Sequence, residues 1–342
     1  MMERVPKLDL NITNRCNYRC AHCAFASGET MIAELPLARL EQILDETRAL
    51  GGRKIDITGG EPTVREEYID ILRAAKRRGF AVELVTNGST LDSVRLAELK
   101  AEGLDAIAVS LDGATYEGYS RVRLVGRSAY ERARQTIEEA VALGLRTKIN
   151  TLVCAETLDE IPGIIAYAKT IGVAELGLYY FTPVGRGART ELTPVEPLRW
   201  LSTIRERLAP LSTGLKVSLE VPLLEKEMLD TIGKPYRCVS IEGQNHLQIL
   251  PDGKTYPCAI LASYGRPVGD LAHEHVHGLT QEHRWSGYWR SIEPCFRHGS
   301  CVDFSSFDIG SYDGRYAPVC PLRKFTIDEI CEGSEEERCA AA

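Results

Sequence analysis

Three cysteines, Cys16, Cys20 and Cys23, share one short segment in the spacing CxxxCxxC. A disulfide joins two thiols and a closed zinc site takes four ligands, so three thiols match neither without a further partner. An iron–sulfur cubane usually takes four thiolates, and three protein thiolates leave one iron atom open to a small ligand. Zinc stays an alternative at this point, with His22 or a distant cysteine as the fourth ligand. The spacing indicates a metal centre.

Short polar motifs follow three of the predicted strands. They are Gly59-Gly60-Glu61, Thr86-Asn87-Gly88 and Ser110-Leu111-Asp112-Gly113. Glycines let a backbone approach a ligand closely, and a carboxylate can accept a hydrogen bond from an ammonium group. Each motif alone is also compatible with a plain turn. Their shared position at strand ends predicts a binding site there.

Strand-like and helix-like segments alternate over the first two thirds of the chain. Strict alternation predicts a parallel sheet with right-handed crossovers and outer helices, in which ligands gather at the carboxyl ends of the strands. Periodicity leaves open whether this sheet is doubly wound or a partial barrel. The predicted strands are 7–13, 54–58, 81–86, 106–111, 146–153 and 175–181. The predicted helices are 37–50, 66–78, 91–102, 128–143, 158–170 and 197–208.

Composition excludes several classes of protein. The 342 residues are 44% hydrophobic and 26% charged, which is typical of a globular chain. No apolar run has the length of a membrane span, and the N-terminus lacks a signal sequence, so we expect a cytoplasmic protein without a membrane partner. A net charge of −7 disfavours nucleic acid as a partner. The odd number of cysteines, 11, argues against a disulfide framework and for metal binding.

The cysteine loop and the strand-end motifs resemble those of the radical S-adenosylmethionine (SAM) superfamily, over residues 7 to about 185. The resemblance implies an α/β fold, a partial (β/α)6 TIM-type barrel, assigned to residues 1–210. It implies that Cys16, Cys20 and Cys23 bind a [4Fe–4S] cluster whose open iron binds the amino and carboxylate groups of SAM. One electron then cleaves SAM to methionine and a 5′-deoxyadenosyl radical, which abstracts a hydrogen atom from the substrate.

The same resemblance implies the residues of the SAM site. Glu61 and its glycines would hold the amino group of SAM, and Arg121 would face its carboxylate, with Arg123 competing for that role. The backbone at His22 would meet adenine. The residues predicted to bind SAM are His22, Gly59, Gly60, Glu61, Asn87, Ser110, Arg121 and Asn150. Cys154, just past the fifth strand, is either a buried packing residue or a thiol that gives a hydrogen atom to a substrate radical.

The cysteines after residue 210 resemble the start of a SPASM/Twitch extension, a small cysteine-rich α+β domain assigned to residues 211–342. That domain carries auxiliary [4Fe–4S] clusters in its family. The spacing departs from the full pattern, so we expect one auxiliary cluster, with two clusters or a zinc-stapled subdomain as alternatives. Cys238 and Cys258 are the best ligands, and Cys295, Cys301 and Cys320 compete for the remaining places.

These features predict a radical SAM oxidoreductase or lyase with a small organic substrate, of the sugar, nucleoside or tetrapyrrole class, in a biosynthetic pathway. Because the first predicted strand begins at residue 7, we expect any leader-binding domain to be a separate chain, which favours a small molecule over a peptide. Maturation of a ribosomal peptide or protein side chain is the alternative. A non-catalytic iron–sulfur or zinc scaffold is a third reading, and RNA modification fits the net charge poorly. An electron donor such as flavodoxin or ferredoxin is the expected partner.

Overall fold

Parallel strands and the helices between them make up the larger part of the fold. The computed structural model describes residues 7–231, 246–263, 265–279, 284, 288, 316–318 and 324–332. The first seven strands are β1 (Lys7–Asn11), β2 (Lys54–Thr58), β3 (Ala81–Thr86), β4 (Ala106–Ser110), β5 (Thr147–Val153), β6 (Glu175–Tyr180) and β7 (Val217–Glu220). The helices between them are α1 (Leu37–Ala49), α2 (Tyr68–Arg77), α3 (Ser93–Ala101), α4 (Tyr116–Arg123), α5 (Arg127–Ala142), α6 (Ile161–Ile171), α7 (Pro197–Ser202) and α8 (Ala209–Ser212).

Shorter elements follow in the C-terminal part. The strands are β8 (Leu223–Glu225), β9 (His246–Ile249), β10 (Lys254–Tyr256), β11 (Gly269–Asp270), β12 (Tyr316–Pro318) and β13 (Lys324–Thr326). The helices are α9 (Lys226–Thr231), α10 (Ala259–Ser263), α11 (Val276–Leu279) and α12 (Ile327–Glu332).

Within the described ranges, one sheet has the strand order β11-β10-β9-β1-β2-β3-β4-β5-β6-β7-β13. Strands β1 to β7 pair in parallel with their neighbours, and β9 pairs in parallel with β1. At the two ends of the sheet the pairing is antiparallel: β10 pairs with β9 and β11, and β13 pairs with β7. Parallel strands joined by helices confirm the predicted α/β fold of the partial-barrel type.

The two faces of the sheet differ in chemistry because side chains alternate along each strand. The helix-facing side is apolar, and Leu8 and Ile55 on it are fully buried. The inner side carries ion pairs instead. Lys7 Nζ lies 2.7 Å from Asp56, and Lys148 Nζ lies 2.6 Å from Glu83. Such charges can be buried because each has a partner of opposite sign.

Two helical predictions differ from the structure. Helix α4 was not predicted, because its sequence YEGYSRVR lacks an apolar helical period and contains Gly118. A Cβ atom at Gly118 would lie 2.4 Å from the side chain of Glu160, whose carboxylate accepts a hydrogen bond from the Thr115 N–H at 2.8 Å. The single helix predicted for 197–208 is α7 followed by a π-helical turn, Thr203–Leu208, that leads into α8.

The sheet continues past residue 210, the boundary predicted from the sequence. Strand β7 pairs with β6, and β9 pairs with β1, so segments from both sides of that position share the sheet. The division into two domains at this residue stays a prediction. In the ranges that the structure covers, every helix is too short or too polar to cross a bilayer.

Candidate functional site

The loop that follows β1, residues 14–28 and hereafter the cysteine loop, brings the three predicted cluster ligands together. Cys20 is buried, and Cys16 and Cys23 are half-buried. Backbone N–H groups point at two of the sulfurs: Tyr18 N lies 3.4 Å from Cys16 Sγ, and Ser27 N lies 3.3 Å from Cys23 Sγ. Hydrogen bonds of this kind stabilise thiolates, which are the form that binds iron.

The donor set fits a cluster better than a single ion. Burial raises the pKa of Cys16 to about 11, the hydrogen bond from Tyr18 N opposes this rise, and charges on Cys20, Glu61 and Cys23 add to it. In the part of the chain that the structure describes, no three Cys, His, Asp or Glu side chains converge on one metal position, and His22 completes no such group. A cubane does not require side chains to converge on one metal position, because each thiolate binds a different iron atom.

The Gly-Gly-Glu motif after β2 packs against the backbone of the cysteine loop. Gly60 N donates to Thr13 O at 2.8 Å, and Glu61 N donates to Arg15 O at 2.9 Å. A Cβ atom at Gly59 would lie 2.6 Å from Thr13 O, and one at Gly60 would lie 2.3 Å from Arg15 O. Glycine is therefore required here by the neighbouring protein backbone, a reason that the sequence alone did not provide.

The carboxylate of Glu61 is buried and held by donors from two motifs. Its Oε1 accepts hydrogen bonds from Thr63 Oγ1 at 2.6 Å and Thr86 Oγ1 at 2.7 Å, and its Oε2 accepts one from Asn87 N at 2.7 Å. Burial raises the pKa of Glu61, and these hydrogen bonds oppose the rise. Each carboxylate oxygen has two lone pairs, so Oε2 retains capacity for an ammonium donor. Asn87 Nδ2 also donates to Asn17 Oδ1 of the cysteine loop at 2.9 Å.

Two further predicted residues lie opposite each other on neighbouring strands. Ser110, at the end of β4, pairs in register with Asn150 on β5, and both are half-buried. Their side chains lie on the inner side of the sheet, which Asn150 shares with Lys148. The structure thus places both at the carboxyl half of the barrel interior, and their contacts with SAM stay a prediction.

The two arginines of α4 have different surroundings. Arg121 is exposed, and its Nη1 donates to the carbonyl of Glu156 at 3.2 Å. Arg123 is buried, forms an ion pair with Asp112, and places Nη1 3.7 Å from Cys20 Sγ. Burial alone would raise the pKa of Asp112, but the charge of Arg123 holds this pKa below its usual value. Arg123 is therefore the arginine of α4 that contacts the cysteine loop.

His22 is half-buried, and Cys154 is buried. Burial, reinforced by the charge of Arg123, lowers the pKa of His22 to about 4, which leaves its imidazole neutral at pH 7. Cys154 is 0% exposed and packs in an apolar cluster with Ala21, Val122, Phe181 and Leu192. Its Sγ lies 3.2 Å from Thr157 Oγ1. This position favours the packing role of Cys154 over transfer of a hydrogen atom.

The predicted auxiliary ligands are only partly visible. Cys258 is buried, and its Sγ accepts a hydrogen bond from Leu261 N at 3.4 Å. The other predicted ligands, Cys238, Cys295, Cys301 and Cys320, lie outside the described residues. Their assignment stays a prediction.

One contributor to the site was not predicted. Arg186, after β6, donates from Nη1 to Cys20 O and from Nη2 to Ser27 O, both at 2.8 Å, and pairs with Glu29 at 2.6 Å. Its own N–H donates to Cys23 O at 2.9 Å. The preceding Gly185 has φ +59°, and a Cβ atom there would lie 2.1 Å from the carbonyl oxygen of Ala24 in the cysteine loop. An arginine between two glycines was the available signal in the sequence.

Comparison with known proteins identifies the family. Residues 10–168 match the model of the Radical SAM superfamily, a region that contains the cysteine loop and the three strand-end motifs. Almost half of the chain therefore matches the radical SAM superfamily. This match confirms the predicted family and its cofactors, a [4Fe–4S] cluster and SAM.

Curated radical SAM relatives extend the match but differ in length from this chain. The PqqA peptide cyclase of Methylobacterium sp. (strain 4-46) is 31% identical over 260 residues, which is 72% of this chain and 65% of the cyclase. The AdoMet-dependent heme synthase of Methanosarcina barkeri (strain Fusaro / DSM 804) is 31% identical over 198 residues, 57% of this chain and 56% of the synthase. The chain therefore spans less than two thirds of either relative.

A solved structure supports the fold. SuiB of Streptococcus suis, determined with its precursor peptide SuiA, superposes with a TM-score of 0.70 at 15% identity, over 83% of this chain and 66% of that one. At this identity the likeness concerns the fold alone, and it confirms the predicted α/β fold with a partial barrel.

Proposed function

We propose that this protein is a radical SAM enzyme that cleaves SAM reductively and abstracts a hydrogen atom from an organic substrate in a biosynthetic pathway. The observation that carries the proposal is the backbone hydrogen bond from Glu61 N to Arg15 O, which joins the three-thiol loop to the segment that carries the buried Glu61 carboxylate. When bound, the cluster supplies one electron to SAM, which splits into methionine and a 5′-deoxyadenosyl radical that takes a hydrogen atom from the substrate. The electron comes from a one-electron donor of the flavodoxin or ferredoxin class.

The residues of the chain position these groups. Cys16, Cys20 and Cys23 would hold three iron atoms, and the backbone of the Gly-Gly-Glu segment is hydrogen-bonded to Arg15 of the same loop and to Thr13 just before it. Glu61 Oε2 would accept a hydrogen bond from the SAM ammonium group, because that oxygen has one donor and lone-pair capacity left. Ser110 and Asn150 would line the nucleoside at the ends of β4 and β5.

The substrate that we propose first is a small organic molecule of the sugar, nucleoside or tetrapyrrole class. Ion pairs such as Lys7–Asp56 and Lys148–Glu83 fill the inner side of the sheet toward the amino ends of its strands. We therefore expect the substrate at the carboxyl ends of the strands, beside the proposed SAM site. The match to a heme synthase agrees with this substrate class.

Maturation of a peptide or protein side chain is the second candidate. It is supported by the peptide cyclase match, which covers more of this chain than the synthase match, and by the peptide-bound SuiB structure. A single side chain entering the carboxyl end of the barrel would meet the same geometry as a small molecule.

We also propose an auxiliary [4Fe–4S] cluster in residues 211–342, with Cys238 and Cys258 as ligands and two further ligands from Cys295, Cys301 and Cys320. The buried Cys258, whose sulfur accepts a backbone hydrogen bond, supports this assignment. Because β7, β9 and β13 belong to the main sheet, such a domain would be joined rigidly to the barrel.

The experiment is anaerobic reconstitution followed by reduction with dithionite in the presence of SAM. We expect 5′-deoxyadenosine from the wild type and none from a variant with Cys16→Ala, Cys20→Ala and Cys23→Ala together. That variant should still retain about four iron atoms in the auxiliary cluster. Deuterium transfer from labelled candidate substrates into 5′-deoxyadenosine then separates the small-molecule and peptide classes. A wild type that binds iron but forms no 5′-deoxyadenosine is a scaffold, and the proposal fails.

A further inference from the structure

A buried guanidinium lies between a carboxylate and the most buried of the three cluster thiols. Arg123, the last residue of α4, forms an ion pair through Nε with Asp112, and its Nη1 lies 3.7 Å from Cys20 Sγ. The side chain of Arg123 is 11% exposed and that of Asp112 is 1% exposed. Electrostatic interactions between these groups are therefore weakly screened by solvent.

The contact at Cys20 differs from those at its two neighbours in the loop. The sulfurs of Cys16 and Cys23 accept hydrogen bonds from backbone N–H groups, which carry only partial charge. Cys20 Sγ instead faces a full positive charge, because a guanidinium stays protonated in proteins. Arg186 also approaches Cys20 but donates to its carbonyl oxygen.

The carboxylate fixes the position of this guanidinium. Asp112 Oδ1 accepts a hydrogen bond from Leu152 N at 2.7 Å on β5, while its other oxygen binds Arg123. An unpaired buried arginine would be strongly unfavourable, and Asp112 both removes that cost and reduces the field that reaches the thiolate. The pair thus acts on Cys20 with two opposing charges at different distances.

We propose that the Arg123–Asp112 pair sets the reduction potential of the cluster held by Cys20, with Arg123 as a positioning residue that raises the potential and Asp112 as the group that moderates it. The inference rests on the proposed function, because it requires a cluster at the cysteine loop. Reduction adds one electron, and hence one negative charge, to the cluster. A nearby cation and an N–H···S contact favour the reduced form, and a nearby carboxylate opposes it.

The test is a potentiometric titration of the reconstituted protein without SAM, with dithionite as the one-electron reductant and the EPR signal of the reduced cluster as the readout. In Arg123→Met we expect the ratio of reduced to oxidised cluster at the wild-type midpoint to fall at least tenfold, equivalent to 59 mV for one electron. In Asp112→Asn we expect that ratio to rise. Arg127→Met is the matched control, because Arg127 is exposed and pairs with Glu117 at 3.2 Å, and its midpoint should not move.

The two variants distinguish an electrostatic role from a merely structural one. A buried ion pair that only stabilises the fold predicts lower thermal stability in both variants and no opposite shifts in potential. The inference would be overturned if both variants retained the wild-type iron content and their midpoint potentials were unchanged or shifted in the same direction. The proposed function would remain intact. If Arg123→Met fails to assemble a cluster, Arg123→Gln takes its place. The inference then requires midpoint potentials of Arg123→Gln and Asp112→Asn that shift in opposite directions. A wild type without a cluster contradicts the proposed function and, with it, this inference.

Discussion

Replacing Arg186 with methionine should loosen the cysteine loop without unfolding the barrel. The side chain of Arg186 is 13% exposed and bridges two carbonyl oxygens of the loop, those of Cys20 and Ser27, at 2.8 Å each. Methionine retains apolar bulk but offers no donor, so both carbonyls lose a charged partner. The segment Gly185–Arg189 remains tied to the loop by its backbone.

The size of the effect follows from the two partly buried hydrogen bonds of Arg186 to carbonyl oxygens. A hydrogen bond to a charged group contributes about 1.5–3 kcal/mol, so the loss of two at the lower end is about 3 kcal/mol. Since every 1.4 kcal/mol is a factor of ten, local opening of the loop should become roughly a hundredfold more frequent. The pair with Glu29 is solvent-exposed and is left out of this sum.

The assay is the anaerobic rate of iron release from reconstituted protein to a chelator, together with hydrogen exchange of loop amides. Arg189→Met is the control, because Arg189 is 63% exposed and, among the described residues, its ion pair is with Glu29 alone. We expect release at least tenfold faster in Arg186→Met than in Arg189→Met, at similar melting temperatures. Equal release rates in the two variants would refute the reasoning.

Three further predictions follow from the site and the sheet. Gly60→Ala should abolish cluster assembly, because the new Cβ would lie 2.3 Å from Arg15 O and 2.9 Å from Cys16 Cβ; wild-type iron content in that variant would contradict this. Cys154→Ala should leave the products unchanged and lower the free energy of unfolding by about 1 kcal/mol, the order of one buried CH₂ group. Altered product stereochemistry would instead support a role of Cys154 as a hydrogen-atom donor. Burial raises the pKa of Glu220 to about 8, above its unfolded value, so its contribution to stability is full below about pH 4.5 and is lost as pH rises through 8. The free energy of unfolding of Glu220→Gln, measured in urea, should therefore rise by about 3–5 kcal/mol relative to that of the wild type between pH 5 and pH 9. Unfolding free energies of the two proteins that change in parallel with pH would contradict this.

The central elements of the fold could be predicted because local pattern and tertiary environment agree there. Strand β2 has the predicted bounds Lys54–Thr58, since its buried isoleucines alternate with polar residues and glycines follow it. Helix α4 could not be predicted, because Gly118 is selected by its contact with Glu160, distant in sequence. The π-helical turn Thr203–Leu208 was also missed, because an apolar period of 3.6 residues continues through it.

The site was predictable where a motif carries its chemistry and less so where contacts are long-range. The cysteines were found from residue type and spacing and Glu61 from the family resemblance, and the structure places all four close enough for their charges to interact. The roles of Arg123 and Arg186 depend on contacts across 103 and 166 residues of sequence, which no local pattern contains. Competition between Arg121 and Arg123 could not be decided from the sequence, because both lie on the same short helix and only packing buries one of them.

The most direct test of the central claim is pulsed EPR of the reduced, reconstituted protein with SAM labelled with ¹⁵N at its amino group. Direct binding of SAM to the iron atom left free by Cys16, Cys20 and Cys23 predicts a hyperfine coupling between the cluster and that nitrogen. A fully loaded, reduced cluster at the cysteine loop whose spectrum shows no coupling and does not respond to SAM would contradict the account.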